Sequence, residues 1–287
     1  MHPSRLPVFD RASEITSLVM MFTLDDIIDT YLLGKSHLST ALKDMLDITL
    51  NTLKGNAHPP KLPPFHFPAY NDFMRCVLNE RRVISQNGWD ANNYIKEFDR
   101  LLWQTVPPSH RDTYRNIIPT VKRYLQIEKI TTTFSYYLER SCQTEGISMK
   151  NFRGLPAFKR YISCAEKAHR ILVDIPSILN DTATLDNYCL RVQHEFKLTI
   201  GEAVARAARK ANKEMTKMQV LKKTLREDSG LSGQHDLEHC FWLAECFIDG
   251  GFAWAMNTQR YKSEWTCYHA DVKLDSSIEN VLQDILL

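Results

Sequence analysis

Asp25 and Asp29 stand one helical turn apart in the run Met20-Met21-Phe22-Thr23-Leu24-Asp25-Asp26-Ile27-Ile28-Asp29. If the run is helical, both carboxylates share one face. Two carboxylates turned inward from an apolar stretch are costly unless a cation neutralises them. Hard oxygen donors of this kind suit Mg2+, which keeps some waters and whose shell is usually completed by phosphate oxygens. Taken alone, the motif reads first as a solvated helix face, and only further signals in the right order change that reading.

Two such signals follow along the chain. Residues 171–184 read Ile-Leu-Val-Asp-Ile-Pro-Ser-Ile-Leu-Asn-Asp-Thr-Ala-Thr, which puts Asn180 and Thr184, both oxygen donors, one turn apart on an expected helix. Trp254-Ala255-Met256-Asn257-Thr258-Gln259-Arg260-Tyr261 then closes a long helical pattern with a guanidinium beside a phenol, each able to donate to phosphate oxygens.

With these three motifs in order, the chain resembles the class I terpene synthases of microbial type. Their pattern is an aspartate-rich helix, a later N-D-x-x-S/T-x-x-x-E helix, and an Arg-Tyr pair near the C-terminus. The resemblance implies metal ligands at Asp25, Asp29, Asn180 and Thr184 and diphosphate binding by Arg260 and Tyr261. Tyr136-Tyr137-Leu138-Glu139-Arg140, followed by Thr144 and Gly146, is similar to the family segment that supplies a diphosphate-sensing arginine, a role carried to Arg140. It also implies cavity-lining aromatics at Phe22 and Trp254, whose rings could face a carbocation, although core packing explains both equally well. The implied activity is Mg2+-dependent ionisation of an isoprenyl diphosphate, farnesyl diphosphate first and geranylgeranyl diphosphate second, followed by cyclisation. Prenyl elongation fits less well, because its second motif is normally aspartate-rich and here carries Asn180.

Two departures from the family pattern bear on activity. Asp25 comes early, so the helices that normally precede the aspartate-rich helix are expected to be missing. Where the pattern calls for Glu, position 188 is Tyr188, a poor Mg2+ ligand. The segment Asn187-Tyr188-Cys189-Leu190-Arg191 looks like one that normally lies beyond the metal-binding Glu, which implies that about ten residues, some three helical turns, are lost from inside the motif. Thr184 then imitates the Ser/Thr ligand, Asp186 is a substitute, and Glu195 is too far along to serve. An alternative is therefore a catalytically impaired helical protein, or the product of a misread gene, that binds diphosphate or a partner without turnover. A remoter alternative is a zinc hydrolase using His235, Glu238 and His239, which match the H-x-x-E-H pattern.

The elements that must position these groups are helical. Glycines number only 10 in 287 residues, and apolar residues recur at three- and four-residue spacing, so an all-α, single-domain bundle over 1–287 of the class I terpenoid synthase type is expected. Helices are expected over 11–53, 70–85, 91–105, 109–143, 155–175, 177–195, 199–226 and 235–258. A Pro-rich loop at 54–69 and Pro107-Pro108 act as breaks. A net charge of +2, from 36 basic and 34 acidic residues, marks no nucleic-acid surface. Seven unpatterned cysteines read as reduced thiols. No signal-peptide core and no membrane span is read, so a cytoplasmic monomer or homodimer taking an isoprenyl diphosphate is expected.

Overall fold

A computed structural model describes residues 20–21, 23–24, 40–56, 70–89, 91–104, 118–178, 186–228 and 234–257. Every regular element among them is a helix, in the all-α fold that the apolar spacing predicts. The contacts divide into two compact units, 1–117 and 118–287.

In the first unit, α1 (Thr40–Lys54), α2 (Tyr70–Gln86) and α3 (Ala91–Gln104) pack with α1 against both others. Each turns a stripe of apolar residues inward at the spacing of an amphipathic helix. Leu46, Leu50 and Leu53 come from α1, Phe73 and Val77 from α2, and Tyr94, Phe98 and Leu102 from α3, all essentially buried. The buried Glu80 accepts a hydrogen bond from the Tyr94 hydroxyl at 2.8 Å, which ties α2 to α3.

The second unit holds α4 (Val121–Thr131), α5 (Phe134–Thr144), α6 (Pro156–Ser177), α7 (Tyr188–Phe196), α8 (Ile200–Glu227) and α9 (Gln234–Asn257). Helix α6 touches all five others. Alanines explain its closeness to α8: Ala203, Ala207 and Ala211 of α8, and Ala165 and Ala168 of α6, are fully buried, and side chains this small let two backbones approach. Thr199 and Glu202 start α8 with a reciprocal capping box. Buried Glu214 of α8 is held by Lys210 at 2.6 Å and Lys217 at 2.8 Å. Burial alone would raise its pKa, but the hydrogen bonds from the two lysines and Cys164 outweigh this and bring it to about 2.

Two helix expectations need correction. The pattern over 109–143 gives two helices where it is described, because Thr132 and Thr133 interrupt it and Thr133 takes a left-handed φ of 57°. The pattern over 177–195 is not one helix either. Asn187 is extended (φ −148°, ψ 136°) and α7 begins only after it. Pro176 stands one residue before the end of α6, where its missing N–H withdraws the helical donor from the Leu172 carbonyl and the helix runs on for a single residue. The described cysteines, Cys76, Cys142, Cys164, Cys189, Cys240 and Cys246, are free thiols. No helix among the described residues is long and apolar enough to cross a membrane.

Candidate active site

Helix α5 begins after the turn at Thr132-Thr133 and ends where Gly146 takes φ +70°, a left-handed conformation that favours glycine. Along it, Tyr136 and Arg140 are one turn apart on one face. Arg140 is 2% exposed. Its neighbour Glu139 turns to an ion pair with Arg153. A guanidinium that never loses its proton thus sits where little water reaches it, the setting in which attraction for an anion is strongest.

One turn back along α5 begins an aromatic wall. Phe134 meets Phe247 of α9 edge-on with ring centroids 6.3 Å apart, and Tyr137 lies 6.2 Å from the same ring. Tyr136 packs on Tyr137 at 5.1 Å. Helix α6 adds His169, whose imidazole is 5.7 Å from Phe134. Phe134 and Tyr136 are buried, and Tyr137, His169 and Phe247 are half-buried residues. Such rings can stabilise a cation held over their faces. His169 is desolvated and lies beside Arg170, and both lower its pKa, to about 4, so at neutral pH the ring is uncharged.

Tyr137, Phe247 and His169 carry no role in the sequence reading. The signal was present, since Phe134 and Tyr137 are three residues apart on α5, and Phe247, Gly251 and Trp254 form one stripe of α9. The spacing could not say which stripes meet. Trp254, expected as a cavity aromatic, lies on that stripe with 40% of its surface exposed.

The flanks of the second motif are pinned together. Asp174, in the last turn of α6 and 2% exposed, accepts from Arg170 Nε at 3.1 Å, from the Tyr124 hydroxyl at 2.9 Å and from the backbone N–H of Tyr188 at 2.9 Å. Asn187 caps α7 through the Cys189 N–H at 2.8 Å and donates to the Asp174 carbonyl at 2.6 Å. Arg170 also donates to the Asp186 carbonyl at 3.3 Å. Position 188 is thus a buried tyrosine at the start of α7. Glu195 accepts from the Val121 N–H at 2.5 Å and caps α4.

Of the residues expected to act, Arg140, Trp254 and the substitute Asp186 are described, and Asp186 is exposed. Asp25, Asp29, Phe22, Asn180, Thr184, Arg260 and Tyr261 lie outside the described residues. Among the described residues no group of three or more His, Cys, Asp or Glu side chains is placed to hold a metal. Asp174, the buried acid of α6, is already saturated by donors from α4, α6 and α7. The donors of the expected set at Asp25, Asp29, Asn180 and Thr184 are all oxygens, a chemistry that fits Mg2+. The zinc pattern is not assembled, because Glu238 forms a two-pronged ion pair with Arg226 at 2.5 and 2.6 Å, and the His235 side chain is 92% exposed.

A sequence model described as terpene synthase family 2, C-terminal metal binding, matches residues 17–217. Against curated protein sequences the chain has no match. Among solved structures it is similar to a linalool/nerolidol synthase from Streptomyces clavuligerus, with TM-score 0.68 and 16% identity, over 84% of this chain and 80% of that one. It is also similar to a germacradien-4-ol synthase from Streptomyces citricolor, with TM-score 0.63 and 15% identity, over 91% and 80% of the two chains. A third likeness is to a 2-methylisoborneol synthase from Streptomyces coelicolor A3(2), solved with Mg2+ and geranyl-S-thiolodiphosphate, with TM-score 0.67 and 13% identity, over 87% and 78%. At such identities the likeness speaks for the fold alone.

Proposed function

The chain belongs to the terpene synthase family, by the match of its residues 17–217 to the family 2 C-terminal metal-binding domain, and from that premise we propose a Mg2+-dependent synthase that ionises an isoprenyl diphosphate and cyclises the resulting carbocation. Farnesyl diphosphate is the first candidate and geranylgeranyl diphosphate the second. The family match runs across the boundary between the two compact units, which supports reading both as one synthase domain.

The observation that carries this reading is the buried Arg140 on α5, the helix that also contributes Phe134 and Tyr137 to the aromatic cluster with α6 and α9. Ionisation of an allylic diphosphate needs positive charge at the leaving group and a dry, electron-rich surface at the hydrocarbon. Arg140 supplies the first, joined in this proposal by Arg260 and Tyr261. The rings of Tyr137 and Phe247 supply the second and keep water from the cation. Asp25, Asp29, Asn180 and Thr184 would hold Mg2+, which adds charge neutralisation at the diphosphate oxygens. The protein provides no nucleophile, and none is needed.

Incubating the purified protein with geranyl, farnesyl and geranylgeranyl diphosphates and Mg2+, and analysing extracts for volatile and polar terpenes, tests the proposal. A Mg2+-dependent terpene product is expected from at least one of them, and no product from any chain length overturns the claim of turnover. A second reading, binding without turnover, has one observation in its favour: residue 188 is a buried tyrosine whose N–H is committed to Asp174. Stabilisation against heat by inorganic diphosphate and Mg2+, without any product, would select it.

A further inference from the structure

Helix α8 carries Arg206, Arg209, Lys210, Lys213 and Lys217 at positions that fall within about 100° of its circumference, a single stripe about 17 Å long. The acid that interrupts this run in the sequence, Glu214, is turned inward and 1% exposed, and Lys210 and Lys217 neutralise it. Exposed carboxylates of α8 stand only at its two ends, Glu202 in the capping box and Glu227 in the last turn. Five cations against one buried anion leave four net positive charges along the stripe, on a chain whose whole formal charge is +2.

Arg206, Arg209 and Lys213 are exposed, and no ion pair among the described residues engages them. Arg206 with Lys210, Arg209 with Lys213 and Lys213 with Lys217 are like charges one turn apart, an arrangement that costs a helix free energy. A face serving solubility alone would mix the signs, as Lys223 and Glu227 do further along the same helix. Apolar side chains flank the stripe. Phe196, 40% exposed, lies under the Arg206 guanidinium at 3.7 Å, and Val220, 61% exposed, follows Lys217 on the same face. The phosphate backbone of a nucleic acid offers such side chains no apolar counterpart, whereas a bilayer offers one at the boundary between headgroups and acyl chains.

We propose that this face of α8 docks the protein on an anionic bilayer surface, with the basic stripe against the lipid headgroups and Phe196 and Val220 against the acyl boundary. Each Lys or Arg held near such a surface strengthens binding about fivefold, and salt screens the attraction.

The test is co-sedimentation of the full chain with vesicles of phosphatidylcholine alone and of phosphatidylcholine with about one-third phosphatidylserine, at low and at high ionic strength. At low ionic strength the partition coefficient should be at least about fiftyfold higher on the anionic vesicles, and high salt should remove most of the difference. Arg209→Glu with Lys213→Glu cancels the net charge of the stripe and should bring binding down to the level on phosphatidylcholine. Lys43→Glu with Lys150→Glu, an equal change of total charge at exposed positions outside α8, should leave binding within about threefold of wild type. Val220→Asn should weaken it about fivefold. Equal binding to both kinds of vesicle overturns the assignment, as does a loss in the α8 variant no larger than that in the Lys43 and Lys150 variant. Binding of duplex DNA by a protein that ignores the vesicles overturns it too. Should the reversed α8 variant fail to fold by circular dichroism, Arg209→Gln with Lys213→Gln removes two charges for an expected loss of about 25-fold, and a loss under about threefold then overturns the assignment.

Discussion

The carboxylate of Asp174, near the end of α6, accepts a hydrogen bond from the backbone N–H of Tyr188 at 2.9 Å and so joins the last turn of one helix to the first turn of the next. Arg170, Tyr124 and Asn187 converge on the same residue. The end of α6 and the start of α7 are thus joined by a single buried polar knot.

Breaking that knot should be expensive. Asp174→Ala leaves the Arg170 cation without its carboxylate in a desolvated place and is expected to lower unfolding free energy by about 3–5 kcal/mol. Asp174→Asn keeps an acceptor and should lose about 1–3 kcal/mol. Urea unfolding followed by circular dichroism measures both, and equal losses would argue against a charge-based anchor.

Arg140 is expected to act on the diphosphate and not on the hydrocarbon. Arg140→Lys keeps the charge but loses the planar fork of donors, so kcat/KM should fall by about a hundredfold or more. Product identity should stay unchanged. Arg140→Lys should also weaken the thermal stabilisation given by inorganic diphosphate with Mg2+, and unaltered stabilisation would remove Arg140 from the anion site.

Acid sensitivity should trace to His169. Its pKa is 6.5 in an unfolded chain and about 4 in the fold, because of burial first and Arg170 second. Between those values the unfolded chain binds a proton that the folded one does not, so stability falls as pH drops through that window. The loss amounts to about 3 kcal/mol at full development. In His169→Leu this part of the slope should vanish, as urea midpoints measured from pH 7 to pH 4 would show.

Removal of the metal tests the oxygen-donor set. Chelation with EDTA should abolish turnover and Mg2+ should restore it. Asp25→Asn is expected to raise the Mg2+ concentration needed for half-maximal rate by about tenfold, with a smaller change in the KM for diphosphate substrate.

The surface pair of Arg226 and Glu238 should matter little. Both side chains are about half exposed, so Glu238→Ala should cost under about 1 kcal/mol and leave turnover intact. Stoichiometric bound zinc in the purified protein, lost with this substitution, would instead revive the hydrolase reading.

Local chemistry was enough to read much of this molecule from the chain alone. Apolar spacing at three and four residues forces helices to bury one face, and Leu46, Leu50 and Leu53 or Phe73 and Val77 are such faces. Pro156 opening α6 and Thr199 with Glu202 opening α8 are start signals that act within one turn. The order of oxygen donors and of the Arg-Tyr pair is likewise a property of the string of residues, which is why it pointed to the family that the match over 17–217 shows.

Only the tertiary structure decided which faces meet. The aromatic wall needs Phe134, His169 and Phe247 from three helices far apart in sequence, and no periodicity within one helix encodes that meeting. Gly251 reads as a weak point in α9 until His169 is seen filling the space beside it. The end of the helical pattern near 177 was equally hidden, because Asn187 and Tyr188 satisfy their polar groups on Asp174 across the fold instead of on the next turn of the same helix. Hydrogen bonds to neighbours along the chain can be anticipated from composition and spacing, whereas those closed across the core exist only once the helices have packed.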